Sequence, residues 1–93
     1  MSAVLLDLEV LGGEKMTKLK QMRTKAGLSQ SQLAEKTGIQ YRTLQYYEQG
    51  KMNFDHARMD KIISAALALN CNISDIIEDP EIIKDVEEYQ KTL

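Results

Sequence analysis

Apolar and polar residues recur along most of this chain with the spacing of short amphipathic helices. The first such pattern runs from Thr17 to Ala26 and ends at Gly27. Its inward face is predicted to hold residues at spacing i, i+3, i+4 and i+7, namely Leu19, Met22, Arg23 and Ala26. An unpaired buried charge is costly, so Arg23 needs an acidic partner, and Glu48 is the candidate. A phosphate contact is the competing role for Arg23.

Residues 29–51 predict two helices joined by a tight turn. The pattern S-x-x-Q at Ser29 and Gln32 is a capping box that fixes the start of the first helix, and Gly38 ends it. The second helix is predicted over Gln40–Gln49 and stops at Gly50. Its inward series is Ile39, Leu44 and Tyr47. The positions left facing outward or toward one edge are Gln40, Tyr41, Arg42, Gln45 and Tyr46.

The second half of the chain predicts further helices. One follows residues 52–56, with Asn53 or Asp55 available as its cap, and runs to about Leu69. Its predicted inner face is Met59, Ile62, Ile63 and Ala66. Ser74 is predicted to cap a short helix that buries Ile76 and Ile77. The last helix begins at Asp79-Pro80, and its apolar stripe is Ile82, Ile83, Val86 and Tyr89. This stripe packs either on its own bundle or on a second subunit.

The segment Ala3–Leu11 shows the alternation of a half-buried strand, closed by Gly12-Gly13. A lone strand needs a partner, and pairing with the same strand of a second subunit is an attractive hypothesis. A helix and a disordered extension are the other interpretations of this segment. It is too short and too acidic for a membrane span or a secretory signal. We divide the chain into an extension (1–15) that is a candidate strand, a domain (16–78) and a C-terminal helix (79–93) that is a candidate dimer contact.

Composition indicates one small globular domain, since 43% of the 93 residues are hydrophobic and 28% are charged. The net charge of −2 is distributed unevenly. Residues 15–62 hold ten basic against four acidic side chains, whereas residues 63–93 hold two basic against seven acidic ones. Salt screens charges beyond about 10 Å, so a locally basic face can bind nucleic acid on an acidic protein.

Catalytic chemistry finds little support in the sequence. Cys71 is the only cysteine, which excludes an internal disulfide and favours a reducing, cytoplasmic compartment. His56 is the only histidine and has no companion at a metal-ligand spacing. Paired carboxylates, a Cys/His cluster and a phosphate loop are all missing. We predict no enzyme activity, no metal and no cofactor.

The segment from Gln30 to Gln49 resembles the helix-turn-helix of the lambda-type phage repressor and Cro family. The matching residues are Gln30, Ala34, Gly38, Ile39 and Leu44, and the family's closing E-x-G-K stands here as Glu48, Gln49, Gly50 and Lys51. The resemblance covers roughly Thr17 to Ile77. It implies an all-α, five-helix lambda-repressor-like bundle, to which this chain adds an N-terminal extension and a C-terminal helix. Family members that have this Arg and Glu pair them as a structural ion pair.

The resemblance also implies a function, namely a sequence-specific, repressor-like regulator that reads the major groove of double-stranded DNA with helix 40–49. The DNA-binding residues it implies are Gln30, Gln40, Tyr41, Arg42, Gln45, Tyr46 and Lys51. The expected form is a homodimer on an inverted-repeat operator, without membrane association. Two alternatives stay open: an antitoxin that holds a toxin partner and regulates itself through the same motif, and a protein-binding bundle without DNA binding.

Overall fold

The computed structural model describes residues 16–93, which form five α-helices and two short 3-10 turns. The helices are α1 (Lys18–Lys25), α2 (Gln30–Thr37), α3 (Tyr41–Gln49), α4 (Met59–Leu69) and α5 (Pro80–Lys91). The 3-10 turns, Phe54–His56 and Ile73–Asp75, precede and follow α4. The predicted all-α class is confirmed. The strand hypothesis for Ala3–Leu11 lies outside the described residues.

Local chemistry sets the ends of the motif helices. The amide of Gln32 donates to Ser29 Oγ (3.0 Å), and the Ser29 amide donates to Gln32 Oε1 (2.8 Å), so the predicted capping box is confirmed. Gly38 ends α2 with φ +75°, in the left-handed region that a side chain disfavours. The chain then enters α3 with Gln40 at the N-cap position. The predicted second helix therefore begins one residue later than expected.

The core lies where α2 packs against α3 and α4. It consists of buried aliphatic residues from α1 to α4 together with Phe54, Ile76 and Ile77. Leu33 and Leu44 have no exposed surface, and Ala34 is 8% exposed. The small side chain of Ala34 permits close packing of α2 on its neighbours. The predicted burial of Ile76 and Ile77 is confirmed, whereas Ala26 is exposed at the C-cap of α1, against the prediction.

The predicted inner face of α4 is wrong at two positions. Met59 is 63% exposed and Ile63 is 43% exposed. The face that packs in the core consists instead of Ile62, Ala65, Ala66 and Leu69. This helix is apolar around much of its circumference, so two overlapping helical series fit its sequence. Packing against α2 selects the series that begins at Ile62.

The caps predicted in the second half of the chain also differ. Arg58, not Asn53 or Asp55, stands at the N-cap of α4, without a side-chain cap bond. Asn53 caps the first 3-10 turn, since its Oδ1 accepts from the Asp55 amide (3.0 Å). Ser74 lies buried inside the second 3-10 turn, and Asn72 occupies the cap position. The first 3-10 turn separates Asn53 from α4, so the N-cap of α4 lies later than predicted, whereas the cap of the second 3-10 turn lies two residues earlier than predicted.

The start of α5 is held by two carboxylates. Asp79 Oδ1 accepts from the Glu81 amide (2.9 Å), as the prediction of a cap at Asp79 requires. The carboxylate of Asp55 also accepts from two amides here, those of Glu78 (2.9 Å) and Asp79 (2.8 Å). These bonds connect the loop after α3 to the start of α5.

The stripe of α5 packs in part on its own bundle. Ile82 and Ile83 lie against the core, while Tyr89 is 64% exposed. Nowhere in residues 16–93 is there a helix with the length and apolar character to cross a membrane.

Candidate nucleic-acid interface

The outer face of α3 carries the residues that the sequence singled out. Gln40, Tyr41 and Arg42 are exposed at its first turn, with Tyr41 at 48%. Gln45 and Tyr46 are half-buried along one edge. Within residues 16–93 the Arg42 guanidinium has neither a hydrogen-bond nor an ion-pair partner. This guanidinium is therefore available to an external acceptor.

The inner face of α3 is clamped to α1 through Glu48. Its side chain is 1% exposed, and the Arg23 Nε and Nη2 groups donate to its two carboxylate oxygens at 2.6 and 3.0 Å. Arg23 Nη1 also donates to the carbonyl of Leu28 (2.7 Å). The predicted ion pair of Arg23 and Glu48 is confirmed. Because this bidentate pair is buried, it fixes the position of the α3 C-terminus relative to α1.

Gln30 takes part in the same cluster. Its Nε2 group donates to Glu48 Oε1 (3.0 Å), and its Oε1 atom accepts a long hydrogen bond from the hydroxyl of Tyr41 (3.5 Å). Gln30 is half-buried, so its amide side chain is engaged within the bundle. Its backbone N–H lies in the first turn of α2, where the helix dipole favours an anion.

Lys51 lies directly after α3 and is exposed. Its amide donates to the carbonyl of Tyr46 (2.9 Å), which closes the C-terminal turn of the helix. Its ammonium lies 5.8 Å from the centroid of the Tyr46 ring, at the limit of a cation–π contact. Lys51 therefore lies beside Tyr46 at the C-terminal end of α3.

Several residues that support α3 were not identified from the sequence. Phe54 is 4% exposed and meets Tyr47 edge to face, with ring centroids 5.1 Å apart. This contact agrees with the prediction that Tyr47 belongs to the core. The hydroxyl of Thr37 donates to Leu33 O (2.8 Å) and accepts from the Ile39 amide (3.2 Å). The spacing of apolar residues does not identify Phe54 or Thr37 as supports of α3, because both lie at the edge of a loop or turn.

The turn between α2 and α3 has one further support. Lys61 of α4 donates to the carbonyl of Gly38 through Nζ (3.2 Å). The carbonyl at a helix C-terminus carries partial negative charge, so a cation there is favourable. The turn that connects α2 to α3 is therefore also held by α4.

Residues 16–93 contain no cluster of His, Cys, Asp or Glu that could hold a metal ion. Cys71 is half-buried, and burial together with the Asp75 carboxylate raises the pKa of its thiol above the ordinary value.

Comparison with known proteins identifies the family. A family model described as helix-turn-helix matches residues 19–76, which span α1 to the second 3-10 turn. The chain belongs to the lambda-repressor/Cro-like helix-turn-helix family, a family of DNA-binding and non-enzymatic domains. The matched segment ends before α5. No curated protein and no solved structure matches this chain in the same comparison.

Proposed function

We propose that this protein is a sequence-specific, repressor-like transcriptional regulator that reads the major groove of double-stranded DNA with the outer face of α3. The observation that carries the proposal is the division of α3 into two faces. Its inner face is anchored through Leu44 and the buried Glu48, while Arg42 is exposed without an internal partner. A helix that is fixed on one side can present its other side to bases without the entropic cost of ordering its backbone on binding.

We assign base recognition to the first turn of α3 and to the edge of this helix that carries Gln45 and Tyr46. Arg42 has the planar fork that pairs with O6 and N7 of guanine, and Gln40 has the amide that pairs with adenine. Tyr41 and Tyr46 contact a thymine methyl group or a phosphate, and Gln45 lies between them on the same edge.

Phosphate contacts are assigned to the ends of the two motif helices. Lys51 supplies a cation after α3, and the backbone N–H of Gln30 supplies a donor at the α2 N-terminus. The side chain of Gln30 is held by Glu48 and Tyr41, so its role is to position these helices. Ser29, Asn53 and Arg58 are further candidates for contacts that set register without reading sequence.

The functional form is a homodimer on an inverted repeat. One module of this size makes too few base contacts for useful specificity, and two modules related by a two-fold axis read half-sites about 34 Å apart. We retain the division into an extension (1–15), a DNA-binding domain (16–78) and a C-terminal helix (79–93).

The test compares two charge deletions with a matched control. Selection from a random duplex library supplies the operator. Arg42→Ala is expected to weaken binding by about 1–3 kcal/mol and to relax the preference at one base pair. Lys51→Ala is expected to weaken operator and random DNA alike and to reduce the salt slope by about one. Lys84→Ala, which removes an exposed lysine on α5, is the control and is expected to change neither.

The outcome distinguishes the competing functions. Equal losses for Arg42→Ala and Lys51→Ala on operator and random DNA would refute the assignment of α3 as the reading helix. Recovery of no preferred sequence, with no salt-dependent duplex binding, would favour the protein-binding bundle. Purification as a stable stoichiometric complex with a second protein would favour the antitoxin.

A further inference from the structure

An apolar stripe on α4 has no partner within residues 16–93. Met59, Ile63 and Leu67 follow one another at intervals of four residues along this helix, and they are 63%, 43% and 77% exposed. The buried face of the same helix is complete without them. Single exposed apolar residues are ordinary, but three large ones in a row on a rigid helix mark an interaction surface.

The stripe is self-complementary in an antiparallel arrangement. Ile63 is its midpoint, with one residue four positions before it and one four positions after it. If two copies of α4 cross antiparallel about a two-fold axis near Ile63, each Met59 meets the Leu67 of the other copy. This is the symmetry that a homodimer interface requires.

The charges beside the stripe fit the same arrangement. Asp60, Ser64 and Leu67 share a flank of α4 at spacing i, i+4 and i+7, and Lys36 of α2 lines a shallow groove with Ser64 and Leu67. Asp60 lies at the Met59 end of this flank, where it forms an exposed ion pair of small energy with Arg58 of its own chain (3.1 Å), and Lys36 lies at the Leu67 end. An antiparallel two-fold brings Asp60 of one copy toward Lys36 of the other. Complementary charge of this kind fixes the register of two surfaces.

The other exposed helix is less suited to self-association. Tyr89 of α5 is 64% exposed, but this helix has a net negative charge, since it carries two lysines, Lys84 and Lys91, against the four acids Glu81, Asp85, Glu87 and Glu88. Two copies of such a helix repel each other when they are brought together. The stripe on α4 carries no comparable excess of one charge.

We propose that Met59, Ile63 and Leu67 form the surface through which a second copy of this chain docks, with the two α4 helices antiparallel about Ile63. The inference rests on the proposed function, since it names the contact between the two reading modules. Three apolar side chains per copy fall short of the about 1,200 Å² that a stable interface buries. The contact is therefore weak in free solution and is strengthened when adjacent half-sites hold two copies together.

Cross-linking tests the geometry directly. The full chain with Cys71→Ser provides a background without thiols, to which either Ile63→Cys or Tyr89→Cys is added. A short bis-maleimide is applied to each variant on a duplex with two half-sites, and also without DNA at high protein concentration. The expected result is a covalent dimer for Ile63→Cys in both conditions and none for Tyr89→Cys. Formation of a covalent dimer by Tyr89→Cys would overturn the proposal. Failure of both variants to form a covalent dimer would also overturn it.

A neutral substitution tests the energetic role. Leu67→Gln is expected to weaken binding to the two-half-site duplex by at least about tenfold while leaving affinity for a single half-site unchanged. Tyr89→Gln, at a similarly exposed position, is expected to change neither. Unaltered two-site binding of Leu67→Gln contradicts the interface. If the unmodified chain does not recognise a single half-site, the proposed function is contradicted instead. The cross-linking experiment without DNA then tests the interface independently of DNA binding.

Charge reversal provides a further check. Asp60→Lys and Lys36→Asp are each expected to weaken two-site binding, and the double reversal is expected to restore it. Failure of the double reversal to improve on either single variant would refute the antiparallel register.

Discussion

Substitution of Arg23 is expected to destabilise the domain far more than substitution of an exposed arginine does. Arg23→Met removes the bidentate pair with Glu48 and the bond to the Leu28 carbonyl, while Glu48 stays 1% exposed in its side chain. The Gln30 amide is then the one remaining side-chain donor to the Glu48 carboxylate within residues 16–93. Removing one partner of a buried ion pair typically costs about 3–5 kcal/mol, because the other charge is left uncompensated.

This cost is large compared with the stability of a small domain, about 5–15 kcal/mol. Each kcal/mol shifts the melting temperature of a domain of this size by about 4–8 °C, so a decrease of roughly 12 °C or more is expected. Urea and thermal unfolding followed by far-ultraviolet circular dichroism measure both quantities.

Arg58→Met is the matched control for this experiment. The Arg58 side chain is 81% exposed and pairs with Asp60 at 3.1 Å, so its loss is expected to cost less than about 1 kcal/mol. The double substitution Arg23→Met with Glu48→Met removes both buried charges and is expected to recover part of the loss. Equal stability of Arg23→Met and Arg58→Met would refute the clamp.

Smaller effects are expected at Gly38, Asp55 and Cys71. Gly38→Ala is expected to lower the free energy of unfolding by roughly 1–2 kcal/mol, since φ is +75° there, and chemical denaturation measures it. Asp55→Ala removes the acceptor of two amides at the start of α5 and is expected to cost roughly 0.5–2 kcal/mol, with faster hydrogen exchange in α5 as the local readout. Burial and, secondarily, Asp75 raise the pKa of Cys71, so thiol alkylation at neutral pH is expected to be slower in the folded than in the unfolded chain, and Asp75→Asn is expected to accelerate it. Because the folded state retains this proton more strongly, the free energy of unfolding is expected to decrease as pH rises above the ordinary thiol pKa, which a denaturation series against pH tests.

The features that the sequence predicted correctly depend on local chemistry or on a strong charge argument. The capping box of Ser29 and Gln32 involves residues three positions apart, and side-chain chemistry alone determines it. The partner of Arg23 lies 25 residues away; a charge on a buried face requires an acid, and the resemblance to the helix-turn-helix family supported Glu48 as that acid.

The features that the sequence did not predict depend on packing between distant segments. Two helical series fit α4 equally well, so periodicity placed Met59 and Ile63 in the core although both are exposed. Asp55 looked like a local cap, but its partners are the amides of Glu78 and Asp79, more than twenty residues further on. Likewise, the side chain of Gln30 is held by Glu48, a contact that only the packed bundle creates.

The separation of the two faces of α3 has a consequence for the evolution of this protein. Folding depends on the inner edge, where Glu48 meets Arg23, and less on positions 40, 42 and 45, whose side chains form no hydrogen bond within residues 16–93. Mutations at those three positions can therefore accumulate, or be introduced by design, without loss of the scaffold. A duplicated copy of this chain could acquire a different target in a few steps while it remains a stable, well-packed domain.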